Sequence, residues 1–297
     1  YPADGFHARN IEQFAQDVKA ASGGTLVIEV HPGGTLAKLA DILPGVREGR
    51  FEAGEILLSA VAGTLPMAGV DAIPFVVSGY ADAQRLAELA RQPIDDSARA
   101  LGVRLLFDVP WPPQGLYANR PLQGVGDLRG LRMRTYNDTT RRFAAYVQAQ
   151  AVEVNALDLP AAIRSGQIDA MITSAATGVE SQSWSGMKHF YDVNAWIPKN
   201  AVTISAAAFD VLSPEQQHAV LASAEQARQR GWQMSEEAAR AAKQALAARG
   251  MAVEAPGPIL TRELKRLGEK FSLEWVRSTN GLGNAVFLPY FTQAASR

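Results

Sequence analysis

The sequence contains no cysteine at all among its 297 residues. Disulfides, thiolate metal ligands and a cysteine nucleophile are therefore excluded. Histidine occurs only four times, and never at H-x-x-x-H or H-E-x-x-H spacing, so a zinc site is not predicted. The G-x-S-x-G hydrolase motif and the G-x-x-x-x-G-K-[ST] phosphate loop are also missing. These absences predict a protein that is not an enzyme and that holds neither a metal nor a cofactor.

Charge of one sign is not in excess either, because 29 basic residues face 30 acidic ones. Nucleic acid is therefore not an expected partner, since binding its phosphates needs a basic surplus. No apolar run approaches the roughly 18 residues of a membrane-spanning helix, and we expect a soluble protein. A hydrophobic content of 47% supports an ordinary core, and 297 residues predict two domains.

Helical and extended patterns alternate along the chain. Ile11, Phe14 and Val18 form one apolar helix face over 9–21, and "TLVIEV" (25–30) reads as a strand. The alternation continues through strands at 53–59, 103–109, 131–136, 152–155, 168–174 and 200–208. It predicts layers of helices against parallel sheets.

The longest predicted element covers 213–250. "SPEQ" (213–216) is a helix-capping signal, with Ser213 as the cap, Pro214 in the first turn and Gln216 able to reach back. A helix of about 36 residues is about 54 Å long, which exceeds the diameter of a small domain. We therefore predict that it lies across both domains, and that several chain crossings form a hinge beside a ligand cleft.

Two arginines occupy the predicted strand within "GLRMRTYND" (130–138). Arg132 and Arg134 point to the same face because strand side chains alternate. A guanidinium beside apolar residues needs an anionic partner, since it keeps its charge. Two interpretations follow: an internal salt bridge, or a fork that binds a ligand carboxylate through two hydrogen bonds.

"DLRGLRMRTYN" (127–137) resembles the "DLKGLKxR" segment of DctP-type solute-binding proteins of tripartite ATP-independent periplasmic (TRAP) transporters. "FHARNIEQFAQDVKAASGG" (6–24), "IPF" (73–75), "VEVNALDLPAAIRSGQIDAMITS" (152–174) and the long helix are also similar to that family. The resemblance implies two α/β domains that close on a ligand, with Arg134 binding its carboxylate. We expect domain I to comprise 1–118 and 203–250, and domain II 119–202 and 251–297.

The resemblance also implies further ligand contacts. Thr173 and Ser174 fall where many relatives have an asparagine that supports the carboxylate, a departure that changes the hydrogen-bond geometry. Glu55 lies in an apolar strand, where an unpaired carboxylate is costly, so it binds a ligand hydroxyl or amine or pairs with a nearby cation. The complete set of expected contacts is Arg134, Gln114, Tyr136, Asn137, Thr173, Ser174, Glu55, Phe6 and His7.

The function that this resemblance implies is capture of a small organic acid in the periplasm and its delivery to TRAP membrane subunits. We expect a monomer whose ligand is a monocarboxylate; 2-hydroxy, 2-oxo and aromatic acids are the candidate subclasses, and a sugar acid is an alternative. We also expect that an export signal was removed. Relatives have a strand before the segment that corresponds to "YPADGF"; either the chain is trimmed there or its sheet lacks that strand, and we expect trimming. Two other hypotheses are an enzyme with Glu55 or His7 as general base, and a protein that presents its ligand to a sensor.

Overall fold

The computed structural model describes residues 5–294, so the parts of the expected domains at 1–4 and 295–297 lie outside it. The helices are α1 (Phe6–Ala21), α2 (Leu39–Arg47), α3 (Tyr80–Arg99), α4 (Asp138–Tyr146), α5 (Leu159–Arg164), α6 (Ala175–Glu180), α7 (Ala206–Asp210), α8 (Pro214–Ala248), α9 (Pro258–Ser278) and α10 (Asn284–Ala294). The strands are β1 (Ala53–Leu57), β2 (Val103–Pro110), β3 (Gln114–Ala118), β4 (Arg132–Thr135), β5 (Gln150–Glu153), β6 (Ala170–Ser174), β7 (His189–Tyr191), β8 (Lys199–Ser205) and β9 (Ala252–Glu254).

These strands form two sheets. The first has the order β1-β8-β2, and both of its pairings are antiparallel. The second has the order β5-β4-β6-β3-β7-β9 and is mixed: β4 pairs in parallel with β5 and β6, whereas β3 is antiparallel to β6 and β7. The predicted parallel layers are therefore right for part of the second sheet and wrong for the first. In the first sheet the central strand β8, which the chain reaches from the second sheet, is antiparallel to both β1 and β2.

The chain crosses from one sheet to the other in the segments between successive strands that belong to different sheets. The first crossing is the segment 111–113 between β2 and β3, and the second is 192–198 between β7 and β8. Both crossings precede the predicted divisions after 118 and after 202, because all of β3 belongs to the second sheet and all of β8 to the first. How the helices divide between the two domains stays a prediction.

Helix α8 makes a third connection. It has 35 residues, and the Ser213 hydroxyl caps it by accepting a hydrogen bond from the Gln216 backbone N–H, as the capping signal predicted. The helix packs against β2 of the first sheet and β9 of the second, and also against the helices α1 and α6. A Cβ at Gly231 would lie 2.5 Å from Val109 Cγ2, so glycine lets the helix approach β2 closely.

One predicted strand is missing. Residues 26–30 of "TLVIEV" follow α1 without joining either sheet of the described chain, and Val27 is exposed. A β-branched run has the right local preference, but a strand needs a hydrogen-bonding partner to be stable. Pro93 lies inside α3, and the helix continues through it.

The main apolar cluster links the sheets, since it contains Ile56 of β1, Leu116 of β3 and Met133 of β4. A second cluster lies on the other face of the second sheet and includes Tyr117, Met171 and Phe190. Within the range 5–294, no helix combines the length and the apolar character that crossing a membrane requires.

Candidate ligand-binding site

The site is built where the parallel strands of the second sheet end. β4 ends at Thr135, β5 at Glu153 and β6 at Ser174. β3 is antiparallel and begins at Gln114, which lies opposite Ser174, so its start meets the same edge. In open α/β sheets, ligands bind in the crevice outside the carboxyl ends of the strands. The expected contacts on β3, β4 and β6 therefore converge on one edge of the sheet.

The two arginines of β4 have different surroundings. Arg132 donates to both carboxylate oxygens of Asp169, with Nε–Oδ2 2.8 Å and Nη2–Oδ1 2.7 Å, and its side chain is 45% exposed. Asp169 also accepts from the amide of Asn119. These bonds, chiefly the one from the Arg132 side chain, lower the pKa of Asp169. Arg132 thus forms an internal salt bridge, the first of the two interpretations of the arginines on this strand.

Arg134 is only 3% exposed and forms no salt bridge with any carboxylate of residues 5–294. Its Nε donates to the backbone carbonyl of Val154, 3.0 Å away. Burial lowers the pKa of the guanidinium, and the neighbouring Tyr136 partly offsets this effect. A guanidinium nevertheless stays protonated in proteins. The protein therefore holds a buried positive charge that a ligand anion can neutralise.

Tyr136 and Gln114 surround this charge. The Arg134 Cζ lies 4.7 Å from the centroid of the Tyr136 ring, within cation–π distance. The Tyr136 hydroxyl donates to Gln114 Oε1 over 3.4 Å, and Gln114 Nε2 donates to the Pro112 carbonyl. Burial raises the pKa of Tyr136 to about 12, while Arg134 acts in the opposite direction. The phenol is therefore neutral at ordinary pH.

Two of the expected contacts are committed to helix caps. The Asn137 Oδ1 accepts from the Thr140 N–H, 2.9 Å away, at the start of α4. The Ser174 hydroxyl accepts from the Thr177 N–H, 3.1 Å away, at the start of α6. Thr173 is 4% exposed, and its hydroxyl makes no hydrogen bond to a described residue. Of the hydroxyl pair on β6, Thr173 is the better placed to donate to a ligand.

The remaining expected contacts form a second group beside the first sheet. His7 Nδ1 lies 3.1 Å from Glu55 Oε1, and His7 is only 2% exposed. The His7 ring packs 4.2 Å from the Trp111 ring and 4.2 Å from that of Phe6, measured between centroids. The Glu55 carboxylate therefore lies beside the His7 ring, and its role toward a ligand stays a prediction. A pair of this kind still leaves carboxylate lone pairs for a ligand donor.

The first crossing of the chain connects the two groups, because Trp111 packs on His7 and Gln114 contacts Tyr136. Trp111, beside Pro112 and Gln114 in sequence, donates from its indole N–H to Asn200 Oδ1, 2.9 Å away. No role was predicted for Asn200 or for the Val154 carbonyl. Asn200 is an amide at the start of the mostly apolar run "NAVTI", which is a weak signal of a polar role. A backbone carbonyl such as that of Val154 gives no sequence signal, since every residue has one.

No cluster of histidine and acidic side chains within residues 5–294 is arranged to hold a metal ion. The architecture is that of a two-domain binding protein with a buried cation at the edge of one sheet. A sequence profile of the bacterial extracellular solute-binding proteins, family 7 (DctP), matches residues 3–272. The chain belongs to this family, which confirms the resemblance seen in its sequence.

Solved structures agree. The chain is similar to DctP6, an extracytoplasmic solute receptor of Bordetella pertussis that binds pyroglutamic acid, with 36% identity and a TM-score of 0.91 over 98% of this chain and 97% of that one. A TRAP solute-binding protein specific for pyroglutamate, from a marine metagenome, is 34% identical, with a TM-score of 0.89 over 98% of this chain and 96% of that one. These similarities confirm the two-domain α/β fold. The family and these neighbours are binding proteins and not enzymes.

A curated relative is more distant. A solute-binding protein of Albidiferax ferrireducens is 24% identical over 218 residues, which is 71% of this chain. The match covers 64% of that relative's own length.

Proposed function

We propose that this chain captures a small monocarboxylate through Arg134, and that pyroglutamate is its ligand. The observation that carries the proposal is the buried Arg134 guanidinium without an acidic partner among the described residues. A ligand carboxylate supplies the missing negative charge and accepts two parallel N–H bonds from a guanidinium.

Pyroglutamate fits the second group of side chains as well. It is a five-membered lactam that carries one carboxylate, one ring N–H donor and one ring carbonyl. The Glu55 carboxylate, held by His7, suits the ring N–H as a hydrogen-bond acceptor. Thr173, 4% exposed, supplies a hydroxyl on the same sheet as Arg134. The two pyroglutamate-binding neighbours, at 34% and 36% identity, support this ligand over the 2-hydroxy, 2-oxo, aromatic and sugar acids.

The mechanism that we propose is capture by closure. The ligand carboxylate meets Arg134 at the edge of the second sheet, and closure of the two domains brings up the group around Glu55. Closure removes water from the salt bridge and strengthens it. The closed form, acting in the periplasm as a monomer, then delivers the ligand to TRAP membrane subunits. No bond of the ligand is made or broken in this cycle.

Titration calorimetry with a panel of acids tests the proposal. The panel contains pyroglutamate, proline, lactate, pyruvate, phenylpyruvate and glucuronate, and pyroglutamate is expected to bind most tightly. Removing one partner of a desolvated charge pair costs about 2–5 kcal/mol, or roughly 30- to several-thousand-fold in affinity. Arg134→Ala is therefore expected to weaken pyroglutamate binding by that factor.

Arg132→Ala is the matched control, because it removes the same side chain two residues away on the same face of β4. Arg132 already pairs with Asp169, so this variant is expected to bind pyroglutamate as tightly as the wild type. Undiminished affinity in Arg134→Ala would refute the carboxylate site. Recovery of a changed ligand after long incubation would instead favour the enzyme hypothesis, with Glu55 or His7 as the base.

A further inference from the structure

The bonds around Arg134 determine which edge of its guanidinium is available. The Nε–H points at the Val154 carbonyl, 3.0 Å away, so the side edge formed by Nε and one Nη is partly used. The guanidinium packs over the Tyr136 ring, with Cζ 4.7 Å from the ring centroid. The edge that bears Nη1 and Nη2 makes no hydrogen bond to a described residue.

Tyr136 itself is held from two sides. Its backbone N–H donates to the Thr140 hydroxyl, 3.0 Å away, and Thr140 belongs to the capped first turn of α4. Its hydroxyl reaches Gln114 Oε1, and Gln114 is only 5% exposed. Because both ends of Tyr136 are anchored, its ring is a fixed surface against which the guanidinium packs.

We infer that Tyr136 is a positioning residue: its ring fixes the plane of the Arg134 guanidinium so that a ligand carboxylate binds end-on, to Nη1 and Nη2. The inference rests on the proposed function for the carboxylate itself. It changes the part expected for Tyr136 from ligand contact to orientation of the arginine. The aromatic face, and not the hydroxyl, is the essential part of the side chain, since the face contacts the guanidinium.

Three substitutions separate these parts. Tyr136→Phe keeps the ring and loses only the long bond to Gln114, so its affinity for pyroglutamate is expected to stay within about twofold of the wild type. Tyr136→Leu removes the ring and is expected to weaken binding about 2- to 30-fold, the range for loss of one cation–π contact. The matched control is Tyr146→Leu on α4, which removes a ring 3.9 Å from Lys270 Nζ and is expected to leave affinity unchanged.

A spectroscopic measurement tests orientation directly and does not depend on any variant binding ligand. In ¹⁵N-resolved NMR of the free protein, the Tyr136 ring is expected to shift the Arg134 guanidinium signals upfield in the wild type and in Tyr136→Phe, but not in Tyr136→Leu. On addition of pyroglutamate, the Nη signals are expected to move while the Nε–H signal, bonded to Val154, stays in place.

The outcomes are separable. If the ring shift is present but no acid on the panel binds, the proposed function fails and the orientation of Arg134 stands. If Tyr136→Phe loses as much affinity as Tyr136→Leu, the hydroxyl is a direct ligand contact and the inference is wrong. If the Nε–H signal moves with the Nη signals when pyroglutamate is added, the carboxylate binds side-on and the inference is equally wrong.

Discussion

Replacing Arg134 by methionine is expected to stabilise the ligand-free protein and to abolish its stabilisation by ligand. Arg134 is 3% exposed, and among residues 5–294 its guanidinium has only a neutral carbonyl, that of Val154, as a hydrogen-bond partner. Methionine is unbranched and of similar reach, so it fills much of the same space without a buried charge. Replacing buried ionic groups by apolar side chains stabilises proteins by about 1–4 kcal/mol, and here we expect about 1–3 kcal/mol.

The liganded protein is expected to show the opposite order. A ligand at about 100 times its dissociation constant stabilises the folded state by about 2.7 kcal/mol. Each kcal/mol corresponds to about 2–4 °C of melting temperature in a protein of this size class. Wild type with pyroglutamate should therefore melt about 5–11 °C above wild type alone. Arg134→Met should melt at one temperature with or without pyroglutamate.

Differential scanning calorimetry of both proteins, with and without pyroglutamate, measures the crossover. Arg132→Met is the control: it breaks the pair with Asp169 and keeps the buried charge, so it should melt lower than wild type and retain the full ligand shift. A ligand-free Arg134→Met that melts below wild type would refute the idea that Arg134 is held at an energetic cost for the ligand. A full ligand shift in Arg134→Met would refute its role in binding.

Two further predictions concern charge pairs outside the site. Lys199 Nζ lies 3.2 Å from Asp71 Oδ2, and both side chains are at most 4% exposed. Lys199→Met leaves the buried Asp71 without this cationic partner, so urea denaturation at pH 7 should show that the free energy of unfolding falls by about 3–5 kcal/mol. Burial raises the pKa of Asp71 above its usual 3.8, so the carboxyl becomes protonated as the pH falls. The loss of unfolding free energy caused by Lys199→Met should therefore shrink in acid, and a loss that does not change with pH would contradict this account. Hydrogen bonds, chiefly from the Arg132 side chain, lower the pKa of Asp169 below its usual 3.8. The ionised Asp169 carboxylate therefore stabilises the folded state fully above pH 3.8, and this stabilisation disappears as the pH falls through the folded-state pKa. Urea denaturation should therefore find Asp169→Asn less stable than wild type at pH 7, with the gap closing toward pH 2; a gap independent of pH would exclude the carboxylate as its cause.

Features that depend on local pattern follow from the amino-acid sequence alone. The capping signal at Ser213 and the long helix-favouring run predicted α8, and alternation of side chains placed Arg132 and Arg134 on one face of β4. The resemblance around "DLRGLRMRTYN" gave the family. Local preferences misled at 25–30, where a β-branched run has no partner strand among the described residues.

Which of the two arginines has an acidic partner depends on contacts between distant segments of the chain. Asp169, the partner of Arg132, lies 37 residues away in sequence, and no local pattern joins them. The same holds for Tyr136 and Gln114, 22 residues apart, and for His7 and Glu55. Pairing of strands brings such residues together, and that pairing depends on contacts between distant segments. Side-chain alternation is a property of one strand, whereas the partner of a charge is a property of the whole sheet.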